Sequence, residues 1–198
     1  MEMEDQHRLR LFVAIPLPSE VKDVLTGLQS TLKASTGDAV RWTPREQMHL
    51  TLLFLGGVPH SQLEPLQNKL QEACASGQSL TIRAQGLGYF PNARKPQVIW
   101  CGVEGEIELL QKIQKHLQEA LRPWCERIET RPFHPHLTLG RLRQGSRAPK
   151  WTMHLQSNSA KNFGEWLVTG CSLIQSKLSP HGSVHSELLR VNLPPPSH

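Results

Sequence analysis

Leucines alternate with polar residues in two short stretches of the chain, and this alternation predicts two β-strands. The stretches carry the same four letters, His49-Leu-Thr-Leu52 and His136-Leu-Thr-Leu139. Residues two apart in a strand share one face. We therefore expect the leucines of each stretch to point into the core and its histidine and threonine to share the opposite face. The repeat predicts two matched sites, one in each half of the chain.

The remaining hydrophobic pattern predicts further strands and three amphipathic helices. The strands are expected at 9–15, 40–42, 47–55, 80–87, 98–103, 131–141, 166–178 and 184–191, and the helices at 19–36, 61–75 and 107–121. This order, with mostly antiparallel hairpins, favours the α+β class. The spacing of helix, motif strand and helix recurs in both halves, which indicates a duplicated lobe. Residues 143–162 are polar, and we expect them to be irregular apart from a short helix near Trp151.

The length of the chain limits how many domains it forms. With 198 residues it is long enough to bury a proper core. We expect a single bilobal domain over 1–198, with a flexible leader at 1–8 and a flexible tail at 194–198.

The charge of the chain indicates what kind of ligand it binds, and its cysteines indicate in which cellular compartment it acts. The formal net charge is +5, and the basic residues are dispersed, which favours a phosphate-bearing ligand over a large DNA-binding surface. The four cysteines form no C-x-x-C pair, and the acidic, polar first residues do not resemble a secretory signal. We expect reduced thiols, a cytoplasmic location, no membrane association and a monomer.

The repeated histidines and threonines point to phosphoryl chemistry. If the two strands face each other, the site holds the imidazoles of His49 and His136 and the hydroxyls of Thr51 and Thr138. One imidazole can act as base and the other as acid, while hydroxyls and a cation bind the phosphate oxygens. Alternatively, the two histidines are structural strand residues that hydrogen-bond to the backbone. Their occurrence together, each beside a matched threonine, favours a role in catalysis.

The contexts of the two stretches resemble a known family. Val40-Arg-Trp-Thr-Pro-Arg-Glu-Gln-Met-His-Leu-Thr-Leu-Leu-Phe-Leu-Gly56 and Arg131-Pro-Phe-His-Pro-His-Leu-Thr-Leu-Gly-Arg141 are similar to the two signature segments of the two-histidine phosphoesterase superfamily. Within it they resemble the RNA 2′,3′-cyclic phosphodiesterases, formerly called 2′-5′ RNA ligases. Leu11-Phe-Val-Ala-Ile-Pro16 and the segment from Gly88 to Trp100 also resemble the family, so the similarity spans nearly the whole chain.

The resemblance implies a fold, a reaction and a set of site residues. The fold is bilobal α+β, with two antiparallel sheets that form a central cleft and helices packed outside. The reaction is hydrolysis of an RNA-terminal 2′,3′-cyclic phosphate to a 2′-phosphate without a metal or other cofactor. Proton donor and proton acceptor fall on His49 and His136, and phosphate binding falls on Thr51, Thr138 and Arg141. Reverse 2′-5′ ligation would be a side activity.

Two residues near the second motif can each be interpreted in two ways. Arg141 is either a solvated strand end or a phosphate contact. His134 is two residues from His136 and His-x-His can bind zinc, but no cysteine or carboxylate is suitably spaced, which favours a structural role.

Other residues in the chain are candidates for base stacking or for no role at all. Tyr89, Phe90 and Trp100 either stack a base at the cleft rim or pack in the core. We expect His181 and His185 to be solvent-exposed beside a turn.

Two other functions remain open from the sequence. One is an RNA-end binding module without turnover. The other is a two-histidine phosphodiesterase for a different cyclic or 2′-5′ linked nucleotide. A turnover assay separates the first from the enzyme, and product analysis separates the second.

Overall fold

Strands and helices alternate in the computed structural model, which describes residues 8–92, 95–145, 160–179 and 182–196. The strands are β1 (Arg8–Pro16), β2 (Val40–Trp42), β3 (His49–Pro59), β4 (Leu80–Phe90), β5 (Val98–Gly105), β6 (His136–Leu142), β7 (Asn162–Val168), β8 (Gly170–Ser179) and β9 (Gly182–Asn192). The helices are α1 (Ser19–Thr36), α2 (Leu63–Ala75) and α3 (Ile107–Ala120). The predicted α+β class is confirmed.

The strands form two antiparallel halves that meet at the motif strands. One half has the order β7-β4-β5-β6 and the other β3-β1-β8-β9, with β2 paired to β6. The halves join where Leu50 of β3 pairs with Leu137 of β6. The two predicted sheets are thus continuous with each other, and their junction places the two His-Leu-Thr-Leu stretches side by side.

The leucines of both motifs lie in the core, as the alternation predicted. Leu50, Leu52, Leu137 and Leu139 are all buried. The helices follow the same logic, since the apolar side chains of α1 and α3 recur at the helical period. The buried residues of these faces are Val21, Leu25, Leu32, Leu110, Ile113 and Leu117.

Two predicted strands have different limits in the structure. The stretch 166–178 is not one strand: β7 pairs with β4 in one half, whereas β8 pairs with β1 in the other. Buried residues lie on both sides of Thr169, with Val168 before it and Cys171 and Leu173 after it, so hydrophobicity alone hides the break. The stretch 131–141 was predicted to hold the second motif strand and its lead-in, and the strand itself begins at His136.

Three predictions concern the two ends of the chain and one internal stretch. Arg8 already belongs to β1, and the Pro194 carbonyl accepts a hydrogen bond from the backbone N–H of Ser79 at 2.6 Å. The expected helix near Trp151 lies outside the described residues, as do residues 1–7 and 197–198. Among the helices of the described ranges, none is both long and apolar enough to span a membrane.

Each motif strand contains a β-bulge at the fourth residue of its tetrapeptide. Between β1 and β3, Ala14 pairs with Thr51 and Val13 with Leu53, so the ladder skips Leu52. Between β5 and β6 the ladder likewise skips Leu139. A bulge leaves the extra residue without a ladder partner and reverses the face of the residues after it.

The carbonyl of each bulged leucine accepts a hydrogen bond from a buried glutamine. Gln29 of α1 donates from Nε2 to the Leu139 carbonyl at 2.8 Å. Gln114 of α3 donates from Nε2 to the Leu52 carbonyl at 3.3 Å. Each helix follows a strand of one half and braces the motif strand of the other half. The same contact between a helix of one half and the motif strand of the other half is thus made twice, which agrees with a duplicated lobe.

Removing one of these amides should destabilise the protein. Gln114→Leu leaves a buried carbonyl unsatisfied, for which we expect a loss of about 1–3 kcal/mol in the free energy of unfolding. The measurement is urea unfolding followed by circular dichroism. Gln111→Leu, an exposed position in the same helix, is the control and should change stability by less than about 0.5 kcal/mol. Equal midpoints for both variants would show that the Gln114 amide does not stabilise the bulge.

Candidate active site

A cleft of about 860 Å³ opens at the junction of the two halves. It contains all five predicted site residues, which are His49, Thr51, His136, Thr138 and Arg141. The cleft also contains side chains that the sequence did not assign to the site, and these include Arg10, Phe12, Arg41, Phe54, Glu126, Arg127 and His185. The two motifs therefore contribute to a single site.

The two motif imidazoles are held in the same way. His49 donates from Nδ1 to the Gln47 carbonyl, and His136 donates from Nδ1 to the His134 carbonyl, both at 2.7 Å. A carbonyl accepts but cannot donate, so Nδ1 carries the proton in each ring. Each neutral imidazole therefore has its lone pair on Nε2, where it can accept a proton.

Thr51 contributes a hydroxyl beside the first imidazole. Its Oγ1 lies 3.0 Å from Nε2 of His49. Because Nε2 of the neutral ring is an acceptor, the Thr51 hydroxyl donates this hydrogen bond. Thr51 is thus within reach of any atom that exchanges a proton with His49.

An aromatic ring packs against each motif histidine. The Phe12 ring centroid lies 4.9 Å from that of His49, and the Phe90 centroid lies 5.0 Å from that of His136. These contacts desolvate the imidazoles without supplying a carboxylate. Two of the residues expected to stack a base, Phe90 and Trp100, pack against His134 and His136, whereas Tyr89 packs against the core.

Burial makes both imidazoles weaker bases than usual. Desolvation lowers the pKa of His49 to about 4, and repulsion from Lys22 and from the protonated forms of His185 and His136 acts in the same direction. Desolvation also lowers the pKa of His136, with a smaller contribution from His134 and Arg141. Both rings are therefore neutral at pH 7.

The bulges decide which side chain follows each threonine into the cleft. Simple alternation from His49 and His136 would place Leu53 and Gly140 on the cleft face. After the bulges, the third residue beyond each threonine lines the cleft instead, which is Phe54 in β3 and Arg141 in β6. The two half-sites thus have the same spacing but end in an aromatic ring and a guanidinium.

Two arginines face each other across neighbouring strands of the cleft. Arg41 of β2 is directly opposite Arg141 of β6 in the antiparallel register, and both line the cleft. Like charges directly opposite each other are destabilising, and an anion bound beside both guanidiniums offsets their repulsion. Arg10 and Arg127 add to the positive charge, and Glu126 is the carboxylate among the cleft-lining side chains. The cleft is therefore suited to an anion.

His134 does not join a metal-binding cluster in the part of the chain that the structure describes. There, no three histidines, cysteines or carboxylates are grouped as ligands for a metal ion. The His134 carbonyl holds the His136 ring, and its side chain is exposed beside Trp100 at a centroid distance of 5.2 Å.

The prediction that His185 is exposed to solvent is wrong. Its ring is half-buried, with its centroid 5.4 Å from that of His49 and 5.1 Å from that of Phe12. Burial lowers the pKa of His185 as well. Its position depends on β9 pairing with β8 and β8 with β1, which are contacts that local sequence does not encode. His181 lies outside the described residues.

Fold and site together define the class: a bilobal α+β protein with one His-x-Thr half-site on each central strand. The family model of the LigT-like phosphoesterases matches residues 15–100 and 102–185. The chain belongs to this family, and the predicted two-histidine phosphoesterase resemblance is confirmed.

Similar proteins carry names that indicate one activity. The chain is 33% identical to the RNA 2′,3′-cyclic phosphodiesterase of Thermus thermophilus, over 93% of this chain and 90% of the relative. It is 32% identical to the RNA 2′,3′-cyclic phosphodiesterase of Archaeoglobus fulgidus, over 91% of this chain and 98% of the relative.

Solved structures agree with the fold over nearly the whole chain. The TT0787 protein of Thermus thermophilus superposes with a TM-score of 0.78 at 30% identity, covering 94% of this chain and 99% of that protein. Escherichia coli LigT in complex with 3′-AMP superposes with a TM-score of 0.74 at 26% identity, with the same coverage.

The burial of His49 should make the protein sensitive to acid. The unfolded chain binds a proton at this ring near pH 6.5, whereas the folded protein binds it only near pH 4. Stability should therefore fall as the pH drops between these values, by up to about 3 kcal/mol from this group. The measurement is urea unfolding at pH 7.5 and pH 4.5. His49→Asn should reduce the difference between the two, whereas His60→Asn, at an exposed position, should leave it unchanged.

Proposed function

We propose that this protein hydrolyses RNA-terminal 2′,3′-cyclic phosphate to a 2′-phosphomonoester, with paired histidines as acid and base. The observation that carries the proposal is the convergence of both His-x-Thr half-sites and two facing arginines in one cleft. The names of the similar proteins support the same reaction. The complex of E. coli LigT with 3′-AMP supports a nucleotide as the ligand of the cleft.

The reaction requires one proton to be taken up and one to be delivered. His136, neutral, takes a proton from water on Nε2 as the water oxygen attacks phosphorus. The bond from phosphorus to the ribose 3′-oxygen breaks, and His49, protonated on Nε2, gives its proton to that oxygen. The products are a 2′-phosphate and a 3′-hydroxyl, and solvent exchange restores the two rings. Each proton transfer contributes about 10²–10⁴-fold.

The assignment of donor and acceptor follows the family resemblance. The matching Nδ1 hydrogen bonds give both rings the tautomer that either role needs. In reverse, the same geometry joins a cyclic phosphate to a 5′-hydroxyl, which would form a 2′-5′ bond as a side activity.

The cations and hydroxyls of the cleft stabilise the charge that develops on phosphorus. Arg141, which is opposite Arg41, binds non-bridging oxygens by charge-assisted hydrogen bonds. Thr51 and Thr138 donate hydroxyl hydrogen bonds from the two sides of the cleft. The cyclic diester is strained, so its leaving group is already activated.

The substrate supplies a charge that favours protonation of His49. A bound phosphodiester anion stabilises the imidazolium form and raises the pKa of a nearby histidine. His49 in the free enzyme is neutral at pH 7, so it acquires its proton together with the anion.

We further propose that the protein acts in the cytoplasm as a monomer.

The direct test is incubation with a short oligoribonucleotide that ends in a 2′,3′-cyclic phosphate, in the presence of EDTA. We expect a 2′-phosphate product, identified by chromatography against 2′- and 3′-phosphate standards. His49→Ala and His136→Ala should each reduce kcat by at least about 100-fold, and the double variant should be little worse because the pair acts as a unit.

His60→Ala, at an exposed position, is the matched control and should retain full activity. Retention of more than about a tenth of the rate in either single variant would contradict the acid–base pair. Binding without turnover would identify an RNA-end binding module. Activity lost with EDTA and restored by one metal would indicate metal-assisted hydrolysis.

The pH dependence should report two coupled imidazoles. We expect a bell-shaped profile, with the bell for kcat/KM centred below pH 6.5 because burial lowers the pKa of both His49 and His136 in the free enzyme. The bell for kcat should lie at higher pH, since the bound anion favours imidazolium. Arg141→Ala removes a cation that lowers the pKa of His136, so both limbs should move up while KM rises.

The control for the pH experiment is Arg143→Ala. Arg143 is exposed and is not among the cleft-lining residues, so its removal should leave the profile in place. A flat profile or a single limb would show that the two histidines do not share the proton transfers.

A further inference from the structure

We propose that Phe54 is the stacking platform for a nucleobase of the RNA substrate, with Phe12 and His185 supporting it. The inference rests on the proposed function and extends it from the phosphate to the base. It gives one corresponding position of the two half-sites different tasks: Arg141 on the β6 side contacts the phosphate, and Phe54 on the β3 side contacts the base.

The Phe54 side chain is exposed to solvent, although packing in the core would bury an aromatic ring. It is 67% exposed and lines the cleft, whereas its neighbours in β3, Leu53 and Leu55, are buried. An exposed large apolar group inside a functional cleft indicates a ligand with an apolar face.

The bulge at Leu52 is what turns Phe54 toward the substrate. Without it, the alternation that starts at His49 would put Phe54 on the core face. The skipped residue reverses this, and Phe54 pairs with Phe12 across β1. Bulges next to active sites commonly re-aim a side chain in this way. Phe54 therefore shares the cleft face with the imidazole of His49 and the hydroxyl of Thr51.

Rigid aromatic neighbours fix the platform. The Phe12 and Phe54 ring centroids are 5.9 Å apart, and Phe12 itself is buried. His185 contacts Phe12 edge to face and so extends the aromatic surface toward His49. A preorganised platform binds a flat ligand with little loss of side-chain entropy.

Charge is distributed so that a nucleotide fits in one orientation. Phe54 of β3 and Arg141 of β6 are each the third residue after the threonine of their motif. Arg141 faces Arg41. A phosphate on the arginines places the neutral part of the nucleotide toward the apolar side of the cleft. Among the parts of a nucleotide, the base has the flat apolar face that stacks on a phenyl ring. Stacking is tolerant of sequence, so we expect all four bases to bind.

The experiment compares substrates with and without a base. Adenosine 2′,3′-cyclic phosphate carries the base, and methyl riboside 2′,3′-cyclic phosphate lacks it. Wild type should show a lower KM for the adenosine compound. Phe54→Ala should raise that KM by about 5- to 100-fold, which corresponds to the usual range for stacking on one aromatic side chain. The preference between the two substrates should then collapse, and Phe54→Trp should restore it.

Leu167→Ala is the matched control, because Leu167 is 54% exposed on β7 and does not line the cleft. It should leave the preference unchanged. An equal KM of wild type for both substrates would overturn the proposal, and so would an equal loss on both in Phe54→Ala. Failure of the proposed function looks different, because wild type would then hydrolyse neither compound. Adenosine 3′-monophosphate binding by calorimetry still decides in that case: Phe54→Ala must weaken it, and equal affinity contradicts stacking.

Discussion

The site depends on a single recurring constraint, the hydrogen bonding of a bulged leucine carbonyl. Each motif strand skips one residue, and a skipped backbone carbonyl in the core destabilises the fold unless it has a donor. Gln114 donates to the Leu52 carbonyl, and the Leu139 carbonyl accepts from both Gln29 and the backbone N–H of Thr43. Each glutamine belongs to a helix that follows a strand of the other half. Because each helix braces the opposite motif strand, the two half-sites cannot shift independently. The geometry of the two motif histidines is thereby tied to the packing of both halves.

The bulge also makes the two sides of the cleft chemically different. Both strands present a histidine, then a threonine, then the residue three positions further on. In β6 that residue is Arg141, and in β3 it is Phe54. A symmetric scaffold thus gains an asymmetric surface through one pair of side chains. The neutral imidazoles fit this arrangement, because protonation can then follow the arrival of an anion instead of preceding it.

Much of the fold and the centre of the site could be predicted from the sequence. The period of two fixed which face His49 and His136 share with their threonines, and the helical period located the three helices. The same reasoning joined β7 and β8 into one strand, because an apolar run gives no sign that the chain leaves one half for the other at Thr169. It also placed His185 in solvent, since β9 lies far from the motif strands in sequence but adjacent through β8 and β1.

The sequence by itself determined the chemical groups of the site, which are two imidazoles and two hydroxyls, and a net positive charge that suits a phosphate ligand. Those properties are local, because they depend on residue type and on alternation within one strand. The tertiary structure decided that the two half-sites meet, that Arg41 faces Arg141, and that Phe54 lies in the cleft. These features depend on strand register and on bulges. Register is set by partners many residues away, so alternation along a single strand cannot reveal it.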